Sequence, residues 1–169
     1  MNLPIEKLAS VKMLVMDVDG VLTDARITLD SSLGWKRFFS VRDGVGIYRL
    51  QDKGYKTAVI TGAHAEDVRR RMQHLKIDYF FENQFDKSPA YLELKEKSGF
   101  GDSEICYIGD DIYDIPLLKQ VGFAATVPEA VEEVIKECDY ITQRKGGYGA
   151  VRDLSHLLLQ YGYFRERHQ

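Results

Sequence analysis

Six short apolar runs, VKMLVMDV, KTAVITG, DYFFEN, EICYIGDD, GFAATVP and CDYIT, punctuate the chain, and none alternates strictly between apolar and polar positions. A strand that is apolar on both faces has to be covered on both, which is the condition of a parallel sheet between two layers of helix. The intervening segments supply those helices. Asp43 to Lys53 is expected to be helical, with Asp43 as its N-cap and Gly54 just beyond its end. Ala65 to Leu75 sets Val68, Met72 and Leu75 on one face; Ser88 as N-cap and Pro89 open AYLELKEKSG, which stops at Gly99. Pro128 is expected to open EAVEEVIKE, and AVRDLSHLLLQYG forms the last helix. Parallel neighbours need crossovers of this length, so the expected fold is α/β: a Rossmann-like, doubly wound, mostly parallel sheet with helices on both faces.

The interruption is Ala25 to Val41, where RITLD, a turn SSLG and WKRFFSV read as a small β-hairpin inserted after the first strand, about 25–41. It is too short to be a domain, and residues 1–169 read as one domain with a C-terminal tail at about 143–169. The formal charge of -3 is mild, and the basic residues are scattered apart from Arg69 to Arg71, so no nucleic-acid partner is expected. No window reaches membrane-spanning length, and MNLPIEKLAS lacks a basic segment with an apolar stretch behind it. Cys106 and Cys138 stand in no metal-ligand or redox spacing, which makes a reduced, cytoplasmic compartment the default expectation.

Sheets of this kind bind ligands at the carboxyl ends of their strands. The residues following the apolar runs are Asp17 and Asp19, Thr61 with Gly62, Lys87 in a loop before a helix, and Asp110, Asp111 and Asp114. Carboxylates gathered at one edge repel one another unless a cation is bound, and hard oxygen ligands suit magnesium. A lysine and a threonine beside them offer donors to phosphoryl oxygens. A carboxylate ionised at neutral pH can attack phosphorus without a base, and a second one, two residues on, can protonate the leaving alkoxide and later accept a proton from water.

DVDGVLTD at Asp17, ITG at Thr61, FDKSPA at Lys87 and GDDIYD at Asp110 and Asp114 resemble, in order and spacing, the four motifs of the haloacid dehalogenase superfamily of phosphatases. The resemblance implies Asp17 as nucleophile, Asp19 as general acid and base, and Thr61, Gly62 and Lys87 as the phosphate-binding residues. It also implies that Asp17, the backbone carbonyl of Asp19, and Asp110 bind Mg2+, with Asp111 and Asp114 supporting the metal's surroundings. Only the hairpin stands where larger members carry a cap domain, so the chain resembles the capless type.

FFSVRDGVGI and QRKGGYGAVRDL are similar to segments of the 3-deoxy-D-manno-octulosonate 8-phosphate phosphatases, which act in synthesis of the lipopolysaccharide inner-core sugar. That family is tetrameric, with sites completed by neighbouring subunits, so the resemblance implies a homotetramer. Arg42, Asp43, Arg144 and Lys145 in these stretches are candidate substrate contacts, as is His64; Arg152 is a further cation there. Where that family commonly has Arg after the Thr/Ser-Gly of the second motif, this chain has Ala63. A phosphatase for a sialic-type nine-carbon sugar acid 9-phosphate, or for another small phosphomonoester, therefore stays open. So does a reading of another class, a non-catalytic tetramerisation or regulatory module.

Overall fold

The computed structural model describes residues 3–32 and 34–164. Leu33 at the tip of the expected SSLG turn, and the part of the C-terminal tail beyond residue 164, lie outside the described residues. α1 (Ile5–Leu8) leads into β1 (Met13–Met16), which is wholly buried. The hairpin follows as β2 (Thr28–Asp30) and β3 (Gly34–Lys36), antiparallel, with Leu29 opposite Trp35. Strands and helices then alternate: α2 (Val41–Asp52), β4 (Lys56–Ile60), α3 (Glu66–His74), β5 (Tyr79–Phe81) and α4 (Ser88–Ser98). The second half runs β6 (Ile105–Ile108), α5 (Ile115–Leu118), β7 (Phe123–Thr126), α6 (Glu132–Ile135), β8 (Tyr140–Ile141) and α7 (Ala150–Tyr161).

The main sheet has the order β5-β4-β1-β6-β7-β8, and every pairing in it is parallel. Its central strands β1, β6 and β7 are buried at every position, as the unbroken apolar runs require. Winding proceeds outward from β1 to β5 in one direction and from β6 to β8 in the other. The switch in direction therefore falls beside β1, where the loops leaving the two halves of the sheet part and open a crevice.

The hairpin is shorter than expected: residues 25–27 and 37–40 lie outside its strands. Asp43 does not cap its own helix. Ser40 does, its hydroxyl accepting the N–H of Arg42 at 3.2 Å, while Asp43 lies in the first turn of α2, 1% exposed. Its Oδ1 accepts the N–H of Arg152 at 2.9 Å, so it caps the start of α7 and ties together two helices that pack along each other. Gly46 makes that packing possible, because a Cβ there would stand 2.8 Å from Ser155 Oγ and 3.1 Å from Arg152 Cα. Burial raises the Asp43 carboxyl to about 6, against the pull of the backbone N–H groups of Arg152, Gly149 and Val151. Asp43→Ala strips the part-buried Arg152 N–H of its acceptor and is expected to cost about 1–2 kcal/mol, read as a lower denaturant midpoint with unchanged slope. Asp43→Asn, which retains an acceptor, is expected to cost less.

Two further helix starts differ from expectation. Ser88 is already helical and Lys87 precedes the helix, with Asp86 Oδ1 accepting the Ser88 N–H at 3.0 Å, so the aspartate organises the turn in place of the serine. After Pro128 the chain makes a turn, Ala130 N–H to Val127 O at 3.2 Å, and the helix begins only at Glu132. Gly54 and Gly99 follow or end their helices with φ of +98° and +74°, as expected.

Candidate active site

Asp17 is the first residue beyond β1. Its N–H bonds to Ile108 O at 3.0 Å, extending the ladder with β6 by one step, and its Oδ1 accepts the Val18 N–H at 2.6 Å. The chain then turns: Val18 O accepts the N–H groups of Val21, Leu22 and Thr23. Gly20, at φ +86°, allows that turn to press on the loop after β6, since a Cβ there would fall 1.9 Å from Asp110 Oδ2. Thr61 stands in the same relation to β4, with its N–H on Phe81 O at 2.9 Å and its hydroxyl accepting the Ala63 N–H at 3.1 Å. Residues from all these loops line a cavity of about 320 Å³ that includes Asp17, Asp19, Thr61, Gly62, Lys87 and Asp110, with Asp111 and Asp114 among its walls.

Lys87 enters the cavity from the start of α4, 3% exposed. Its Nζ lies 3.0 Å from Asp17 Oδ2, 2.5 Å from Asp114 Oδ1 and 3.1 Å from the Tyr107 hydroxyl. Burial works against the ammonium, yet the charges of Asp17 and Asp114 hold its pKa above the ordinary lysine value. Asp114 is fully engaged: Oδ1 also accepts the Tyr107 hydroxyl at 2.5 Å, and Oδ2 accepts the N–H groups of Asp110 and Asp111 at 2.8 and 3.1 Å. Gly109 makes room for this, because a Cβ there would meet Asp114 Cγ at 2.3 Å.

Asp110 is in the opposite condition. Its Oδ1 is buried with no hydrogen-bond partner among the described residues, and a buried carboxylate oxygen left alone is costly. Burial, followed by the charges of Asp17, Asp114 and Asp111, raises its carboxyl to about 8. Asp17 is raised by burial to about 7, with Asp114 adding to the shift and Lys87 opposing it. Asp17, Asp110 and Asp114 can each present an oxygen within 4.8 Å of the others, a spacing that fits one cation. Asp114 carries two donors on each oxygen, whereas each Asp17 oxygen meets one and Asp110 Oδ1 none among the described residues, so Asp17 and Asp110 have the free lone pairs for a cation and Asp114 shapes the loop beneath them.

The family of haloacid dehalogenase-like hydrolases matches residues 38–122. Over 155 residues the chain is 36% identical to the 3-deoxy-D-manno-octulosonate 8-phosphate phosphatase of Escherichia coli strain K12, with 92% of this chain and 82% of that protein covered. The chain belongs to the haloacid dehalogenase-like hydrolases. Among solved structures of this family, a subfamily III A hydrolase from Legionella pneumophila superposes with a TM-score of 0.92 at 42% identity, covering 95% of this chain and 88% of that one. The 3-deoxy-D-manno-octulosonate 8-phosphate phosphatase from Moraxella catarrhalis, solved in complex with magnesium, phosphate and the sugar acid, superposes with a TM-score of 0.90 at 37% identity, covering 94% and 91%.

Within this hydrolase fold the remaining candidates lie farther out. His64 is an exposed neighbour of Arg69 and Glu82, its Nδ1 3.3 Å from Glu82 Oε2, and it does not line the cavity. Arg42 is exposed in the first turn of α2, Arg144 pairs with Asp153, and Lys145 pairs with Glu129 at 2.8 Å. The glycines of the 143–149 stretch buttress the loop after β1: Gly147 N–H bonds to Val21 O at 2.9 Å, and a Cβ on Gly146 would fall 1.7 Å from Gly20 O.

One residue had no signal in the local sequence. Arg37, just beyond β3, reaches both Asp19 oxygens, Nε to Oδ1 at 2.7 Å and an Nη to Oδ2 at 3.1 Å, and its other Nη lies 3.2 Å from Asp67. Its side chain is 9% exposed. The hairpin thus reaches back to hold Asp19 in a two-pronged grip, a geometry that suits guanidinium and not ammonium.

Proposed function

We propose that the chain is a magnesium-dependent phosphomonoester hydrolase acting on 3-deoxy-D-manno-octulosonate 8-phosphate through an aspartyl-phosphate intermediate. The observation that carries this reading is the Asp17 carboxylate, buried at the end of β1 between Lys87 and Asp110, whose Oδ1 has no hydrogen-bond partner among the described residues. The substrate rests on the relatives, whose names and bound sugar acid share it at 36% and 37% identity across most of the chain.

Asp17 attacks phosphorus, the bond to the sugar oxygen breaks, and Asp19 gives that oxygen its proton. Water then attacks the aspartyl phosphate, Asp19 takes its proton, and phosphate leaves with Asp17 restored. Lys87 neutralises phosphoryl oxygens, and Thr61 and Gly62 donate to them from the loop after β4. Asp17, Asp110 and the Asp19 carbonyl would hold the magnesium ion, which supplies the positive charge that lets an anionic carboxylate approach an anionic phosphate. Asp111 and Asp114 keep that loop in shape. Arg37 fixes the direction of the Asp19 carboxylate, so Arg37→Gln is expected to lower kcat/KM by about tenfold to a hundredfold with the thermal midpoint little changed. Full activity in that variant would remove the hairpin from the site.

Among the described residues Lys87 is the one cation lining the cavity, and Ala63 adds none; the carboxylate of a sugar acid is then to be met from outside it, by Arg26 or Lys145 of the adjoining cavity or by a neighbouring subunit. A homotetramer is the assembly we propose. In its support, Ile27, Leu29, Trp35 and Phe38 on and beside the hairpin, and Val41 and Val45 on α2, are exposed apolar side chains awaiting cover. Arg42, Arg144 and Lys145 are the cations to test as donors across such an interface. The two cysteines are free and buried, and no helix among the described residues is long and apolar enough to cross a membrane; both accord with a cytoplasmic enzyme.

The deciding experiment is phosphate release from the eight-carbon sugar acid phosphate, sialic-type 9-phosphates and common sugar phosphates, with magnesium and with chelator. A preference of at least about tenfold in kcat/KM for the eight-carbon substrate is expected. Preference for another substrate would reassign specificity, and no turnover of any would favour the non-catalytic reading. Light scattering on the same preparation should give the mass of four chains; a monomer would contradict the shared site.

A further inference from the structure

We propose that Phe85 and Tyr113 form an aromatic clamp at the cavity mouth that grips the carbon chain of the leaving group and selects polyhydroxylated, sugar-sized phosphoesters over small ones. This rests on the phosphatase reading above and deepens it.

Both side chains line the cavity, yet they are 65% and 55% exposed and contribute little to the core. Their ring centroids are 6.2 Å apart with an interplanar angle of 72°, an edge-to-face pair open on its outer side. Each ring is carried by a loop that builds the site. Phe85 stands two positions before Lys87 and lies on Gly62, where a Cβ would be 3.5 Å from two of its ring carbons. Tyr113 immediately precedes Asp114, whose Oδ2 accepts the N–H groups of Asp110 and Asp111.

The rings are thus carried on the same loops that present Lys87 and Asp114 to the cavity. Exposed aromatics at a pocket rim are a cost in water and a gain when a ligand covers them. Among the described residues Lys87 is the one cation lining this cavity, and it is committed to the phosphate end; toward the rest of the substrate the cavity presents this aromatic pair beside Ala25, Gln84 and Asp111. An aromatic face packs on the C–H side of a sugar chain and leaves its hydroxyls free for water or for the Tyr113 hydroxyl. Contacts remote from the reacting atoms raise turnover when they are fully made only as phosphorus reaches its transition state.

The test compares kcat/KM for the eight-carbon sugar acid phosphate with that for acetyl phosphate, whose leaving group is too short to reach the rings. In Phe85→Ala/Tyr113→Ala the ratio is expected to fall about tenfold or more, while Phe85→Tyr and Tyr113→Phe, which keep the rings, stay within about threefold. A ratio unchanged in the double variant would overturn the clamp, whether the absolute rates hold or fall together, because a common fall reports only disturbed Lys87 and Asp114 loops. If the wild-type protein hydrolyses acetyl phosphate but not the sugar acid phosphate, it is the substrate reading that fails. The clamp is then read from p-nitrophenyl phosphate against acetyl phosphate, with the same tenfold fall expected and an unchanged ratio again overturning it.

Discussion

Asp17→Asn is expected to lower kcat by at least about a thousandfold while leaving the fold intact, because the amide is isosteric but cannot attack phosphorus. The position is 8% exposed, and its neighbours bound what else the change can do. Lys87 loses one of its two carboxylate partners but keeps Asp114 at 2.5 Å, so the ammonium is not stranded. One carboxylate also leaves a crowded group, relieving repulsion on Asp110. These effects oppose each other, and the thermal midpoint should move by no more than a few degrees. Stopped-time assays with magnesium, together with a melting curve, check both halves. Turnover within tenfold of the parent would exclude Asp17 as nucleophile.

Removing magnesium is expected to abolish phosphate release and to make stability depend on pH with a definite sign. In the metal-free protein the folded-state pKa values of Asp17 and Asp110, about 7 and about 8, lie above the ordinary carboxylate value of 3.8. Between those limits the folded state binds more protons than the unfolded one, so stability falls as pH rises from about 5 to 8.5. Magnesium favours the ionised carboxylates and competes with those protons, so its apparent affinity rises over the same range. Melting curves in chelator and in excess magnesium should differ more at pH 8.5 than at pH 6. Magnesium at about a hundred times its dissociation constant contributes about 2.7 kcal/mol, a shift of several degrees for a chain of this size. An equal magnesium shift at both pH values would mean that the metal does not displace protons from this pair.

Much of this architecture was legible in the chain because it depends on local pattern. Unbroken apolar runs mark strands buried on both faces, and β1, β6 and β7 are buried throughout. A polar residue that follows such a run must emerge at a strand's carboxyl end. Asp17, Thr61 and Asp110 could therefore be assigned to one edge of the sheet before their distances were known. Gly54 and Gly99 were readable for a similar reason, since a left-handed residue beyond a helix is a local requirement.

What the sequence could not disclose are bonds between residues far apart in the chain. Arg37 and Asp19 are 18 positions apart, and nothing near Arg37 marks it as a partner of the cavity. Asp43 carries the local signature of an N-cap, but Ser40 fits its own helix first, and the aspartate is left to cap a helix 109 residues away. Of the acidic residues after β6, only the folded loop separates Asp114, saturated by four donors, from Asp110, which has an oxygen with none. By itself the sequence determined which residue types arrive at the carboxyl edge of the sheet, because strand burial and strand ends are encoded within a few neighbouring positions. Which carboxylate is held, which is left open and which is aimed was decided only by the tertiary structure, where packing brings distant donors within hydrogen-bonding reach.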